Sequence, residues 1–401
     1  MFKTIRDRNV WLILVATLFL GLAYGIAISV FAVFLDARDV SKQDIGTLAA
    51  WFAGGIVCFS LPAGVLIRRI SAKAVLVLSL SGYACTVGAF PFVESYSGLA
   101  AIRFLDGACS VGIWVSSEII LLSRADRDNK AFLTSLYAIA VAVGYMLGPF
   151  AARGVAAVAP LEAVFLVSSV LSASVSLLVL ARLDGDVKHV AHTGEIGDAK
   201  RPVVSALRML LRIKTSCFAN YAYGYFQASV VLFLPLFLME SKGIEPEQTI
   251  LTPAFFAGGM LLCSNTLGRL GDRYGHLLLM RILGAIGAVT ILAFVFLDSY
   301  AAMCGAVFIA GATLATISPV SLALQGVIVE PHEYSRSNSL YNLCYASGML
   351  MGPPISSWLF QNHGGVAMLV HLAALWAFFV AFSILYARDD PAVASRTMSA
   401  N

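Results

Sequence analysis

Charge is what this chain has least of. Asp, Glu, Lys and Arg make up 12% of its 401 residues, against roughly a quarter in soluble domains. A net charge of +4 gives no basic field of the kind nucleic acid requires. The seven cysteines (58, 85, 109, 217, 263, 304 and 344) sit at irregular spacings inside apolar blocks. With no CxxC and no Cys/His cluster, neither a disulfide framework nor a zinc site is indicated, and they read as small core residues. A G-x-x-x-x-G-K-[ST] loop is missing, so ATP is not the expected energy source. No nucleophile with a paired base and no metal cluster is evident, so an enzyme is not expected, nor is a cofactor.

What is abundant is apolar surface, at 59% of residues. It comes in unbroken blocks such as Val10–Leu35, Ala74–Val93 and Leu277–Leu297. Each reaches the roughly 20 residues that cross about 30 Å of hydrocarbon. A soluble reading would need a dozen fully buried helices and almost no surface. Lys3, Arg6 and Arg8 precede the first block; a cleaved leader would have a shorter apolar core and a small-residue cleavage site, so this block reads as the first span. Twelve spans fit: 10–35, 45–67, 73–92, 96–122, 131–155 and 162–182, then 215–239, 249–270, 277–297, 300–329, 335–360 and 365–387. Residues 183–214 are polar and form a linker, partly disordered or a surface helix, whose His189 and His192 are solvated rather than ligands. Of the 27 Lys and Arg, 22 fall on the side of the termini and linker, 4 (38, 42, 153 and 242) on the other, and Arg103 lies within the membrane. That asymmetry predicts that both termini and the linker are cytoplasmic, in the inner membrane of a bacterium.

The chain repeats itself. SLYAIAVAVGYMLGP (135–149) recurs as SLYNLCYASGMLMGP (339–353), with seven of fifteen positions identical at an offset of 204 residues. The same offset carries Phe52, Ala53, Gly54, Gly55, Ser60, Gly64, Leu66 and Arg69 onto Phe256, Ala257, Gly258, Gly259, Ser264, Gly268, Leu270 and Arg273. Six spans return a chain to its starting side, so the copies have the same orientation. The predicted fold is therefore all-α and polytopic: a six-helix bundle over 1–182, the linker, and a second bundle over 215–401. In such plans the solute site lies near the midplane between the halves.

GRLGDRYGH (268–276) joins spans 8 and 9 on the linker side. It resembles the loop signature of the major facilitator superfamily, G-x-L-x-D-R-x-G-[RK], through Gly268, Leu270, Asp272, Arg273 and Gly275, with His276 at the last position. The first-half copy, GVLIRRISAK (64–73), has Arg68 in place of the Asp. Gly144, Gly148 and Pro149 in span 5, and Gly348, Gly352 and Pro353 in span 11, resemble the antiporter motif of the same superfamily. RFLDG (103–107) resembles its R-x-x-x-G element, and the span-4 run resembles a little-described bacterial branch. The resemblance implies a twelve-helix secondary transporter, with Asp272, Arg273 and the two glycine–proline motifs in gating. Packing is the other reading of the glycines.

Subtracting one half from the other separates architecture from chemistry. Under the 204-residue offset, Arg103 becomes Val307, Asp106 becomes Ala310 and Glu118 becomes Leu322, while Gly107 stays glycine at Gly311. Ionisable side chains at membrane depth face a cavity or a partner. Arg103 and Asp106 are candidates for solute binding, or an i,i+3 ion pair. Glu118 is the candidate proton-coupling group, or a side chain snorkelling to the surface. It lies about 22 Å along the helix from Arg103 and about 60° away in azimuth, so the two can share a cavity. Tyr24, Gln227, Tyr341, Asn342 and Tyr345 are further candidates for the solute wall, with interhelical hydrogen bonding as the alternative. His371 reads as a packed histidine. Together these features predict a monomeric, proton-coupled exporter of a small organic solute. A metabolite importer or facilitator, or a non-transporting membrane sensor on the same fold, is the alternative.

Overall fold

The computed structural model describes residues 7–124, 130–184, 205–330 and 333–387. Twelve long helices cross the molecule. The first half contains α1 (Arg8–Asp36), α2 (Lys42–Arg69), α3 (Ala72–Ala89), α4 (Tyr96–Ser123), α5 (Lys130–Ala156) and α6 (Leu161–Arg182). The second contains α7 (Lys214–Lys242), α8 (Thr252–Tyr274), α9 (His276–Phe294), α10 (Tyr300–Ile328), α11 (334–363) and α12 (365–385). The last two run together as Tyr334–Leu385 except at Gly364, whose φ of 83° breaks the helix. Ten helices are long and apolar enough to cross a bilayer as they stand, and α2 makes another as a pair, Lys42–Ser60 and Pro62–Arg69, bent by 49°. Dividing the 52-residue helix at Gly364 completes twelve passes.

The starts follow local chemistry. Ser41, Ser95 and Ser71 each offer a side-chain oxygen to a backbone N–H three residues on, at Asp44, Gly98 and Ala74, which satisfies a donor that a helix start leaves open. Gly243, at φ 63°, ends α7 in the left-handed conformation that glycine tolerates. Large apolar side chains remain exposed on the outer helices, among them Val170 and Leu177 of α6, Val289 of α9 and Phe378 of α12. In water such a belt would drive association; against lipid it is the required surface.

Each half closes on itself at one face. Arg8 Nη2 donates to Arg182 O at 2.7 Å, tying α1 to the end of α6. Lys214 Nζ lies 4.5 Å from the Tyr386 ring centroid, tying α7 to the end of α12. We call this the linker face. Within it, Ala206–Arg212 forms a short helix whose Met209 packs with Ile213, Cys217 and Val329, so the end of the expected linker belongs to the second half. The middle of that linker, residues 185–204, is outside the described residues.

The two halves meet at the opposite, far face. Lys42 Nζ is 2.6 Å from Glu240 Oε1 and 5.1 Å from the Phe360 ring centroid. The Gln43 N–H donates to Gln361 Oε1 at 2.9 Å. A Cβ on Gly46 would lie 2.6 Å from Pro353 O, so the backbones of α2 and α11 approach closely there. At the linker face the facing helices expose their surfaces: Phe132 and Ile139 of α5, Leu270 of α8 and Leu343 of α11. The space between the halves is therefore open to the linker face.

Candidate functional site

The first-half wall is built on α4. Arg103 Nη1 donates to Asp106 Oδ2, the i,i+3 pair that the spacing allows. Both are buried, at 8% and 3% exposure. The guanidinium carbon lies 4.6 Å from the Phe31 ring centroid and 4.4 Å from that of Phe52, a cation–π sandwich that replaces part of the lost hydration. Arg103 Nε and Asp106 Oδ1 have no hydrogen-bond partner. In this conformation neither charge is open to the cavity, and the two take the i,i+3 ion pair that was the alternative to solute binding. The pair is under-satisfied, which is costly in a low-dielectric interior.

Further along α4 the face turns to the cavity. The Tyr24 hydroxyl of α1 shares a hydrogen bond with Ser110 Oγ. The Tyr24 ring centroid is 4.4 Å from that of Tyr83 and 6.3 Å from that of Trp114. Glu118 lies one turn beyond Trp114 on the same side of the helix. It is exposed, and Tyr137 of α5 is among its electrostatic neighbours. Its proximity to Tyr137 and its alignment with Trp114 set Glu118 on the α5-facing side of α4.

The second-half wall is aromatic and neutral. Tyr345 of α11 donates its hydroxyl to Gln227 Oε1 of α7 at 2.8 Å, and its ring centroid lies 5.9 Å from that of Tyr223. Tyr145, from α5 of the other half, is a neighbour of both Tyr345 and Tyr223, so the two walls approach through tyrosines. Tyr341 takes the interhelical hydrogen bonding that was the alternative to a place in the solute wall. It is 3% exposed; its hydroxyl donates to Ser318 O at 2.6 Å and lies 2.8 Å from Ser321 Oγ, while Asn220 Nδ2 donates to its carbonyl at 2.9 Å. Tyr341 is thus a strut tying α10 and α7 to α11, its polar atoms already occupied. Asn342, the next residue, is exposed. His371 is packed as expected, with Nε2 2.7 Å from the Tyr225 hydroxyl. Among the described residues no group of three or more His, Cys, Asp or Glu is placed to hold a metal ion.

The family model described as Major Facilitator Superfamily matches residues 13–299 and 216–399. The chain belongs to the major facilitator superfamily. A protein of Salmonella dublin named "Uncharacterized MFS-type transporter YcaD" is 25% identical over 391 residues, covering 96% of this chain and 97% of its own. One of the same name from Shigella flexneri is 25% identical over 368 residues, covering 92% and 93%. Among solved structures, a bacterial homolog of the human lysosomal transporter Spinster, in an inward-facing and unoccupied conformation, superposes with a TM-score of 0.80 at 14% identity, covering 97% of this chain and 98% of that one. The nucleoside transporter NupG, as its D323A mutant, superposes with a TM-score of 0.76 at 12% identity, covering 96% and 100%. These likenesses concern the fold.

The superfamily's loop signature lies at the linker end of α8. Asp272 Oδ1 is 3.1 Å from His276 Nε2, with the carboxylate side chain 72% exposed. Arg273 lies 5.4 Å from the Tyr274 ring centroid. Gly275, between α8 and α9, has φ 104°, a turn that a side chain resists. The glycines of the antiporter-like motif face inward within each half. A Cβ at Gly144 would lie 2.1 Å from Leu18 O, and one at Gly148 2.5 Å from Gly25 Cα; at Gly348 and Gly352 the distances are 2.2 Å to Tyr221 O and 2.5 Å to Tyr225 O. These are the crossings of α5 on α1 and of α11 on α7, each at the turn before Pro149 or Pro353.

Sequence reasoning passed over Trp114 and Tyr145. The offset that singled out Glu118 carries Trp114 onto Ser318 and Tyr145 onto Met349, so the same subtraction, applied to aromatics, finds them. The far-face contact of Lys42 with Glu240 has no such signal, because its two members sit at unrelated positions of different halves.

Proposed function

We propose that this protein is a proton-coupled exporter of a small amphipathic organic solute, working by alternating access with its linker face in the cytoplasm. The observation that carries the reading is Glu118: an exposed carboxylate in line with Trp114 and beside Tyr137 of α5, on a helix whose repeat mate has leucine there. A carboxyl group that alternates between water and a closed cavity exchanges its proton as its surroundings change. Tyr24, Trp114, Tyr145, Tyr223 and Tyr345 offer flat apolar surface, with Gln227 and Tyr345 for hydrogen bonding, which suits a planar or cationic amphipath. The 22 to 4 distribution of Lys and Arg supports the cytoplasmic placement of the linker face. On closure of that face, Asp272 swings to the start of α5, where a carboxylate complements the helix dipole.

The test has two stages. Purified protein is screened by thermal shift against metabolites, drugs and chelators at two pH values, since a ligand of the folded state raises apparent stability. A solute found this way is then offered to proteoliposomes with and without an imposed proton gradient. Uphill movement against the proton flux supports the proposal. Equal equilibration in both cases indicates a facilitator, and movement in the opposite sense an importer. Asp106, buried with one oxygen unpartnered, is the second candidate for the coupling proton.

A further inference from the structure

A groove of about 680 Å³ runs along the flank of the first half, lined by α2, α3 and α4 alone. Its walls include Phe59, Leu66, Leu78, Leu105 and Cys109, and Arg69 stands in its lining. It does not belong to the cavity between the halves. On α4 the groove uses positions 105, 108, 109 and 112, an i, i+3, i+4, i+7 face. Trp114 and Glu118 lie about 200° and about 240° in azimuth from 112, on the other side of the same helix. The groove therefore opens toward lipid while the cavity opens toward the second half.

Its depth and its charge identify an occupant. From Phe59 to Arg69 is ten residues of α2, about 15 Å at 1.5 Å per residue, half of a hydrocarbon core about 30 Å thick. It thus spans one leaflet, from the linker-face boundary to the midplane. Five of its large apolar side chains, Phe59, Val65, Leu66, Leu78 and Leu105, are exposed in the protein alone. At the boundary stand Arg68 and Arg69, both exposed and without an ion-pair partner among the described residues. The repeat mate of this corner mixes signs, with Asp272 beside Arg273 and paired to His276. Replacing that aspartate by Arg68 makes the first-half corner purely basic, and the gating function of the signature does not account for it.

We propose that this groove binds an anionic glycerophospholipid of the linker-face leaflet, with one acyl chain between α2 and α3–α4 and the headgroup phosphate on Arg69 and Arg68.

Native mass spectrometry of the full chain in detergent, titrated with phosphatidylglycerol or phosphatidylcholine, tests this. One tightly held phosphatidylglycerol is expected, with weaker phosphatidylcholine. Arg69→Ala should weaken the phosphatidylglycerol adduct about fivefold, since one cation beside an anionic leaflet contributes about 1 kcal/mol, and should abolish headgroup preference when combined with Arg68→Ala. Cys109→Phe, which fills the groove, should weaken both lipids alike. Because Arg69 is exposed, its loss leaves the fold intact, and melting in lipid-free detergent checks this. Equal binding of the two lipids to the wild type, or wild-type phosphatidylglycerol binding by both Arg69→Ala and Cys109→Phe, overturns the proposal. A change of oligomeric state in Cys109→Phe with no change in lipid binding also overturns it, and makes the groove a contact between copies.

Discussion

Where α2 crosses α4, a Cβ on Gly107 would lie 2.0 Å from Phe52 O; where α8 crosses α10, a Cβ on Gly311 would lie 2.0 Å from Phe256 O. The backbone contacts of the two halves agree to this detail, yet their polar groups do not. The first half holds Arg103, Asp106 and Glu118 where the second holds Val307, Ala310 and Leu322. It holds Arg68 where the second holds Asp272, and Tyr145 where the second holds Met349. The tyrosine at 137 does recur at 341, and in the second half it is a strut. Duplication supplies the scaffold, and most of the departures from it set charged and aromatic side chains where the second half has apolar ones.

The largest effects should come from breaking what is shared. Gly144→Ala and Gly348→Ala each push a methyl group into the backbone of the neighbouring helix, and each should cost about 1–3 kcal/mol, read as thermal melting in detergent. A large loss in one half with none in the other would mean that the crossings are not equivalent.

The contact of Lys42 with Glu240 joins the halves. With side chains 21% and 41% exposed, the pair is worth about 0.5–1 kcal/mol after solvent screening. Lys42→Ala should therefore shift the population toward far-face opening by about two- to fivefold. A cysteine replacing Ser357, which is fully buried at that contact, should be labelled correspondingly faster in a background without native cysteines. Unchanged labelling would mean that the far face is held by packing alone.

A smaller difference lies at the turn between the second and third helices of each half. Gly275 takes φ 104° without a side chain, and its mate Ser71 is held at φ 146°. Ser71→Gly should stabilise by about 0.5 kcal/mol, relief of the positive-φ strain exceeding both the entropy that glycine adds to the unfolded chain and the few tenths lost from the Ser71 cap on Ala74. Gly275→Ser should cost about 1 kcal/mol. Opposite signs in melting temperature are the expected result.

The smallest effect concerns the linker-face closures. Asp184 accepts from Asn9 Nδ2 at 2.9 Å. That hydrogen bond, with Arg8, Arg124 and Lys73 nearby, holds its carboxyl below the usual carboxylate value. A depressed folded pKa gives stability that is present above the unfolded value near 3.9 and is lost as pH falls through the folded one. Asp184→Asn should therefore lower melting temperature slightly at neutral pH and not at all in strong acid. The second half closes with Lys214 over Tyr386, so Tyr386→Leu should show no such convergence in acid.

The repeat, the spans and the asymmetry of α4 were legible because periodicity and identity lie along the chain. Boundaries shifted where local chemistry adds a turn, as at Pro246–Thr249 before α8 and Ala206–Arg212 in the linker. Residue types alone could not separate Tyr341 from Tyr345. Both lie on one face of α11, but Ser318 and Ser321 of α10 take the first hydroxyl and Gln227 of α7 the second. Nor could they show that Phe31 and Phe52 shut Arg103 away, since that depends on how α1 and α2 pack on α4. Far-face pairing of Lys42 with Glu240 was invisible for the same reason.

The central claim is that the first half holds the coupling proton on Glu118. Its most direct test is counterflow and gradient-driven uptake in proteoliposomes carrying Glu118→Gln. The account expects solute exchange without a gradient at the wild-type rate, with gradient-driven accumulation lost. Uphill transport by Glu118→Gln at the wild-type rate would contradict it.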